Sequence, residues 1–216
     1  MKVLIIDNYD SFTYNLVHLV QSLLQQDIDV VRNDKLNIEK VAAYDKIMLS
    51  PGPGIPNEAG MLKQVIKKYA PIKSILGVCL GLQAITEVFG GQLKNLDEVF
   101  HGISTEILIT AKDSLFVNIP ERFFAGRYHS WIAAKDNFPE CLKVTAEDEQ
   151  GNIMALSHKS YDVKGVQFHP ESVLTEVGAQ IIKNWLFDTQ KAEVKFPSLG
   201  NKSFDISALS SKLLFC

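Results

Sequence analysis

The sequence is poor in cysteine, nearly balanced in charge and free of any long hydrophobic run, and each shortage removes a class of function. Its three cysteines, Cys79, Cys141 and Cys216, are odd in number, widely spaced and without a C-x-x-C pair, so their spacing gives no sign of a disulfide framework or a zinc site. Thiol chemistry is what remains open to them. A formal net charge of -3 over 216 residues gives no electrostatic reason to expect a nucleic acid partner. Val3-Leu4-Ile5-Ile6 follows Lys2, but Asp7 and Asp10 end this run well short of a signal-peptide core or a membrane span. A cytoplasmic chain without membrane contact is expected. No P-loop, nucleotide fingerprint, metal-ligand cluster, internal repeat or low-complexity segment occurs, and no cofactor or metal is expected.

What is present is the composition of an ordinary globule, 46% hydrophobic and 22% charged, in a length suited to one α/β domain. Lys2–Ile6 is an apolar run of the buried parallel type, and a helix over Phe12–Gln25 follows, with Phe12, Leu16, Leu19, Val20 and Leu23 at helical spacing and Ser11 as its N-cap. Ile28–Val31 and Lys46–Leu49 read as the next strands. Ser50-Pro51-Gly52-Pro53-Gly54-Ile55-Pro56 breaks the chain before a helix over Ala59–Lys68. Strands alternating with helices over this half predict a three-layer α/β fold whose mostly parallel central sheet is flanked by helices. In such sheets sites lie at the carboxyl ends of strands, which gathers the Asp7–Ser11 loop, the Pro51–Pro56 loop and Cys79 on one edge.

Gly90-Gly91 closes the helix that starts at Leu80. Ile107–Ile109, Arg122–Tyr128, Leu142–Ala146, Ile153–Leu156 and Val163–Phe168 then read as strands joined by turns, with a hairpin at Gln150-Gly151-Asn152. A last helix over Glu176–Phe187 completes a domain of residues 1–188. In the tail, residues 189–216, Ile206, Leu209 and Leu213 share one face of a short helix if one forms.

Gly77-Val78-Cys79-Leu80-Gly81 sets a thiol between two glycines, directly after the apolar run Ile72–Leu76 and directly before a helix. A strand that ends in Gly-x-nucleophile-x-Gly must turn sharply, and glycines let the two backbones approach without a Cβ clash. A sulfur so placed sits at a helix N-terminus, where free N–H groups and the macrodipole favour thiolate. The competing reading is one more small buried residue.

A cysteine nucleophile needs a base and a group to orient that base. Of five histidines, His18 falls inside a helix and His101 and His158 in loops, where structural or surface roles are commoner. His129, at a strand end, is a second candidate. His169 ends the run Val163–Phe168 and precedes Pro170, so an extended conformation would put His169 and Glu171 on one side of the chain. The stretch is equally readable as a turn with a stray acid. Ser50-Pro51-Gly52-Pro53-Gly54 offers only glycine amides as donors beyond Ser50, because proline has no N–H, and Leu80 follows the nucleophile; together they suit an oxyanion site. Such loops also serve as plain connectors. Gln83, one turn past Cys79, faces either a polar substrate or solvent.

Gly77–Ile85, Val166-Gln167-Phe168-His169-Pro170-Glu171-Ser172 and Leu49–Gly54 together resemble the class I (triad) glutamine amidotransferases, whose fold is flavodoxin-like. Ile6–Leu16 and Tyr128-His129-Ser130 narrow the resemblance to the small subunits of anthranilate synthase and aminodeoxychorismate synthase. It spans about Lys2 to Phe187. Leu82 stands where this family very often has histidine, and Trp131 where leucine is commoner. The resemblance implies Cys79 as nucleophile, His169 as acid and base, and Glu171 as its orienter. It also implies a glutamine pocket lined by Gly52, Pro53, Gly54, Gln83, Ser130 and Trp131, with Leu80 donating to the oxyanion. Its substrate would be L-glutamine and its partner a chorismate-binding synthase subunit of the tryptophan or folate pathway, which receives the ammonia. A γ-glutamyl hydrolase or cysteine peptidase of related fold, and a catalytically silent binding subunit, are the alternatives.

Overall fold

Val3–Asp7 (β1) is buried along its whole length, as a strand covered on both faces must be. Its residues divide between two cores, Val3 and Ile5 on one face and Leu4 and Ile6 on the other, which is the two-residue alternation of a strand. This description is of a computed structural model, and it covers residues 1–188. After β1 come α1 (Thr13–Leu24), β2 (Asp29–Arg32), β3 (Lys46–Leu49), α2 (Leu62–Tyr69), β4 (Ser74–Val78) and α3 (Leu80–Val88). Short strands β5 (Leu93–Asn95), β6 (Ile103–Ile109), β7 (Arg122–Arg127), β8 (Trp131–Ala133), β9 (Leu142–Asp148), β10 (Ile153–His158) and β11 (Val163–Val166) precede α4 (Gly178–Phe187).

The main sheet is nine-stranded in the order β2-β1-β3-β4-β11-β10-β9-β6-β7. From β2 to β11 it is parallel, and from β11 outward it is antiparallel. Leu16, Val17 and Val20 of α1 pack with Ile181, Ile182 and Trp185 of α4 on one face, and Leu62, Val65 and Ile66 of α2 join Leu82 and Ile85 of α3 on the other. The three-layer architecture expected from the sequence is therefore the observed one. The notion of a tail helix on Ile206, Leu209 and Leu213 lies outside the described residues. Among the described residues no helix is long and apolar enough to cross a membrane.

Local differences have physical causes. Ser11 does not cap α1, and no other side chain does: Asp10 closes the turn before the helix, its Oδ1 accepting from Phe12 N at 2.7 Å and its carbonyl from Thr13 N at 3.2 Å, and the helix opens at Thr13. The second helix begins at Leu62 instead of Ala59, because Pro56–Glu58 first forms a turn of 3-10 helix. β5 and β8, a two-stranded sheet of three-residue strands, are too short to show a period.

The antiparallel half is locked by a buried ion pair. Arg127 Nη1 at the end of β7 lies 2.8 Å from Asp148 Oδ2 at the end of β9, with side chains only 2% and 4% exposed. Asp148 also accepts from the main chain of Gln150 and Asn152 and so closes the β9–β10 hairpin. Asp148→Ala should leave a buried guanidinium without its counter-charge and destabilise the fold by about 3–5 kcal/mol. Urea unfolding measures this, and a loss below about 1 kcal/mol would contradict the assignment.

Candidate active site

β4 ends at Val78 and α3 begins at Leu80, so a single residue makes the whole turn. Cys79 does this at φ 52° and ψ -102°, a conformation that costs a non-glycine residue energy and persists only where its surroundings enforce it. Its N–H donates to Val166 O at 2.8 Å and its carbonyl accepts from Gln83 N at 3.1 Å. Close backbone packing supplies the rest. A Cβ on Gly81 would sit 2.6 Å from Leu49 O, and one on Gly77 would sit 2.4 Å from the Gly81 carbonyl carbon. The glycines on either side of the thiol are thus needed for α3 to lie against β3 and β4.

The second component arrives where β11 stops. Past Val166 the chain first stays beside β10, Gln167 N donating to Met154 O, and then reaches β7, His169 N donating to Gly126 O. His169 and Glu171 meet through a turn, not through the extended stretch inferred from the sequence. Ser172 N donates back to His169 O at 3.2 Å, with Pro170 at the position its fixed φ suits. His169 Nδ1 lies 2.7 Å from Glu171 Oε1, with side chains 2% and 0% exposed. Phe12 and Tyr128 pack their rings against the imidazole at 5.5 and 4.8 Å between centroids. Burial alone would lower the pKa of His169, but the Cys79 sulfur and the Glu171 carboxylate outweigh it and push the value up to about 10. Its Nε2 makes no hydrogen bond of ordinary geometry, so the sulfur acts on it without an aligned contact. Such misalignment is common before substrate binds.

The loops expected at the carboxyl edge do meet there. Asn8 donates from its main chain to Ser50 Oγ at 2.9 Å and from Nδ2 to Ser50 O at 2.8 Å, fixing the loop after β3 to the loop after β1. Gly52 packs so tightly against Asn8 and Leu80 that a Cβ would meet each at 2.6 Å. Leu80 opens α3, where an N–H has no intrahelical acceptor. Gly52, Pro53, Gly54, Cys79, Gln83, Ser130 and Trp131 line one cavity of about 270 Å³, near the small end of the roughly 300–1,000 Å³ typical of small-molecule sites. Leu80 is not part of its wall and is 1% exposed. A larger hollow of about 780 Å³ by Ile109–Glu121 lies apart from the triad.

Several residues acquire roles that the sequence did not reveal. Phe100, His101, Tyr128 and His129 also line the cavity. His129 Nε2 accepts from Arg127 Nε at 3.1 Å. Burial, then the charges of Arg127 and His169, push its pKa down to about 3, so it stays neutral and is not the acid. His158 stacks on Tyr161 at 4.3 Å in a structural role, and His18 is exposed. Gln83 is neither solvated nor free: its Nε2 donates to Trp131 O at 2.8 Å and reaches Gln167 Oε1 at 3.3 Å. Gln167, which reads in the sequence as part of a strand, places its Nε2 3.5 Å from Cys79 Sγ. Among the described residues no group of three metal-ligating side chains occurs.

A family model for class-I glutamine amidotransferases matches residues 4–189. The chain is 46% identical over 187 residues to anthranilate synthase component 2 of Porphyra purpurea, an alignment covering 85% of this chain and 98% of that one. It is 41% identical over 194 residues to aminodeoxychorismate/anthranilate synthase component 2 of Bacillus subtilis, covering 89% and 98%. Among solved structures, a glutamine amidotransferase from Thermotoga maritima shares the fold with a TM-score of 0.68 at 17% identity, over 86% of this chain and 80% of that one.

The shifted imidazoles set the pH dependence of stability. His169, raised from 6.5 to about 10, contributes stability that is complete below about pH 6.5 and lost as pH rises through about 10. His129 and His158, lowered to about 3 and about 4, act in the opposite sense, their contribution being lost as pH falls from 6.5 toward those values. Urea unfolding across pH should show the alkaline loss in the native chain and a smaller one in Glu171→Gln. An identical alkaline limb in both would contradict the pairing.

Proposed function

Because this chain belongs to the class-I glutamine amidotransferases, we propose that it is the glutaminase component of an anthranilate or aminodeoxychorismate synthase, acting in the cytoplasm. In this reading it hydrolyses L-glutamine and delivers ammonia to a separate chorismate-binding subunit. The observation that carries the reading is the buried His169–Glu171 pair at 2.7 Å, set against a thiol in a strained turn on the wall of a cavity sized for one small molecule. The relatives' names, each a component of a synthase, support the partner.

The chemistry follows from these positions. The Cys79 thiolate attacks the side-chain carboxamide carbon of glutamine, and the N–H groups of Gly54 and Leu80 donate to the oxygen that becomes negative. His169 is already charged, so it needs no prior proton uptake to act as acid. As the tetrahedral intermediate collapses, the C–N bond breaks and the nitrogen takes the His169 proton and leaves as ammonia. A γ-glutamyl thioester remains. Neutral His169 then removes a proton from water, whose oxygen attacks the thioester; the C–S bond breaks, and glutamate leaves with thiolate and imidazolium restored. Glu171 holds Nδ1 throughout, which keeps Nε2 toward the reaction. Gly52, Pro53, Gln83, Ser130 and Trp131 shape the pocket around the rest of the substrate.

Glutamine hydrolysed without an acceptor is wasted, and the unaligned Nε2 fits a site completed by docking of the synthase. The isolated chain should hydrolyse glutamine slowly and the complex faster; equal rates would overturn the docking idea. Cys79→Ala should abolish product formation from glutamine while the complex still uses added ammonia. Peptide cleavage without ammonia release would favour a peptidase instead.

A further inference from the structure

A chain of side-chain amides runs from the wall of the cavity to the nucleophile. Gln83 Nε2 lies 2.8 Å from Trp131 O and 3.3 Å from Gln167 Oε1, and Gln167 Nε2 lies 3.5 Å from Cys79 Sγ. The direction of this chain is set at its far end. A main-chain carbonyl can only accept, so the Gln83 nitrogen must face Trp131. That same nitrogen meets the Gln167 oxygen, which leaves the Gln167 nitrogen for the sulfur. Reversing either amide would set two acceptors or two donors against each other. Gln167 is fully enclosed, 0% exposed, and Gln83, at the cavity wall, is only 2% exposed, so neither amide is freely solvated. Each is seated on main chain that also positions the thiol: Gln83 N donates to Cys79 O, and Gln167 lies one residue past Val166, whose carbonyl holds Cys79 N.

We propose that Gln167 is a further catalytic residue, its amide N–H donating to the Cys79 sulfur and favouring the thiolate, and that Gln83 is a positioning residue that holds Gln167 in the donating orientation. The inference rests on reading Cys79 as the nucleophile. A donor stabilises a sulfur anion more than a neutral thiol, so the contact strengthens whenever charge returns to sulfur. That happens twice in the cycle, before attack and when the thioester breaks. His169 gives up its proton to ammonia between these moments and regains it from water only as the thioester is attacked. The amide keeps its hydrogen and remains a donor throughout.

Alkylation of Cys79 by iodoacetamide without glutamine, followed on the Cys79 peptide by mass spectrometry across pH, tests this. Gln167→Met keeps the length and removes the donor; it should slow alkylation near neutral pH about tenfold and carry the profile about one pH unit higher. Gln83→Met touches no reacting atom and should move the profile the same way by less. If the amides serve only to pack and satisfy each other, these variants will unfold at lower temperature with the native alkylation profile, which overturns the inference. Should Gln167→Met fail to fold, an unmoved profile in Gln83→Met overturns the relay by itself. Labelling of native Cys79 by the glutamine-like electrophile 6-diazo-5-oxo-norleucine separates the two levels. An unlabelled native chain overturns the nucleophile reading and the relay with it, whereas a labelled chain with unmoved variants overturns the relay alone.

Discussion

The approach of α3 to the backbone of β3 and β4 is the constraint on which the site depends. Main chain meets main chain there, with no room for a Cβ on Gly77 or Gly81, and the helix can begin immediately after the strand only because of that contact. Everything chemical about Cys79 is downstream of it: the unfavourable φ, the place at a helix start, the nearness to Val166 and hence to the segment that carries His169. Folding energy from the two cores on either side of the sheet holds the thiol in a geometry that the residue would not choose alone.

Two histidines share this site, and their surroundings drive them apart. His129, under the Arg127 guanidinium, is held neutral with a pKa near 3, while His169, against the sulfur and the Glu171 carboxylate, is raised to about 10. The charge on His169 is itself one of the causes that keep His129 uncharged. A proton here is therefore held on His169 and not on His129, although the two rings are near enough for the charge of one to act on the other.

How much of this could be read in the amino-acid order follows from the range of each interaction. The parallel half was legible because each strand and helix carries its own apolar period, and the thiol elbow because glycine flanks are a local signature. The Cys79, His169 and Glu171 set came from local signals too, although Glu171 reaches its partner by a turn and not by strand alternation. What stayed hidden depends on distant partners. Gln167 reads as one polar residue in a strand until Gln83, far earlier in the chain, is brought beside it. His129 and His169 both stand at strand ends, and only the charges packed around each separate them. Ser11 has the side chain of a cap, and only the observed backbone shows that the helix opens after it, at Thr13.

The strand that leads to His169 is the last among the described residues, yet β11 lies in the interior of the sheet, between β4 and β10. A growing chain therefore exposes its thiol long before the imidazole exists to serve it, and the gap between β4 and β10 closes only when residues 163–166 have been made. Insertion of a late strand between two earlier ones is a non-local event, and non-local contacts form slowly. That late insertion completes the sheet and brings the His169 segment to the thiol, and a truncated product lacking the strand would carry Cys79 without those neighbours.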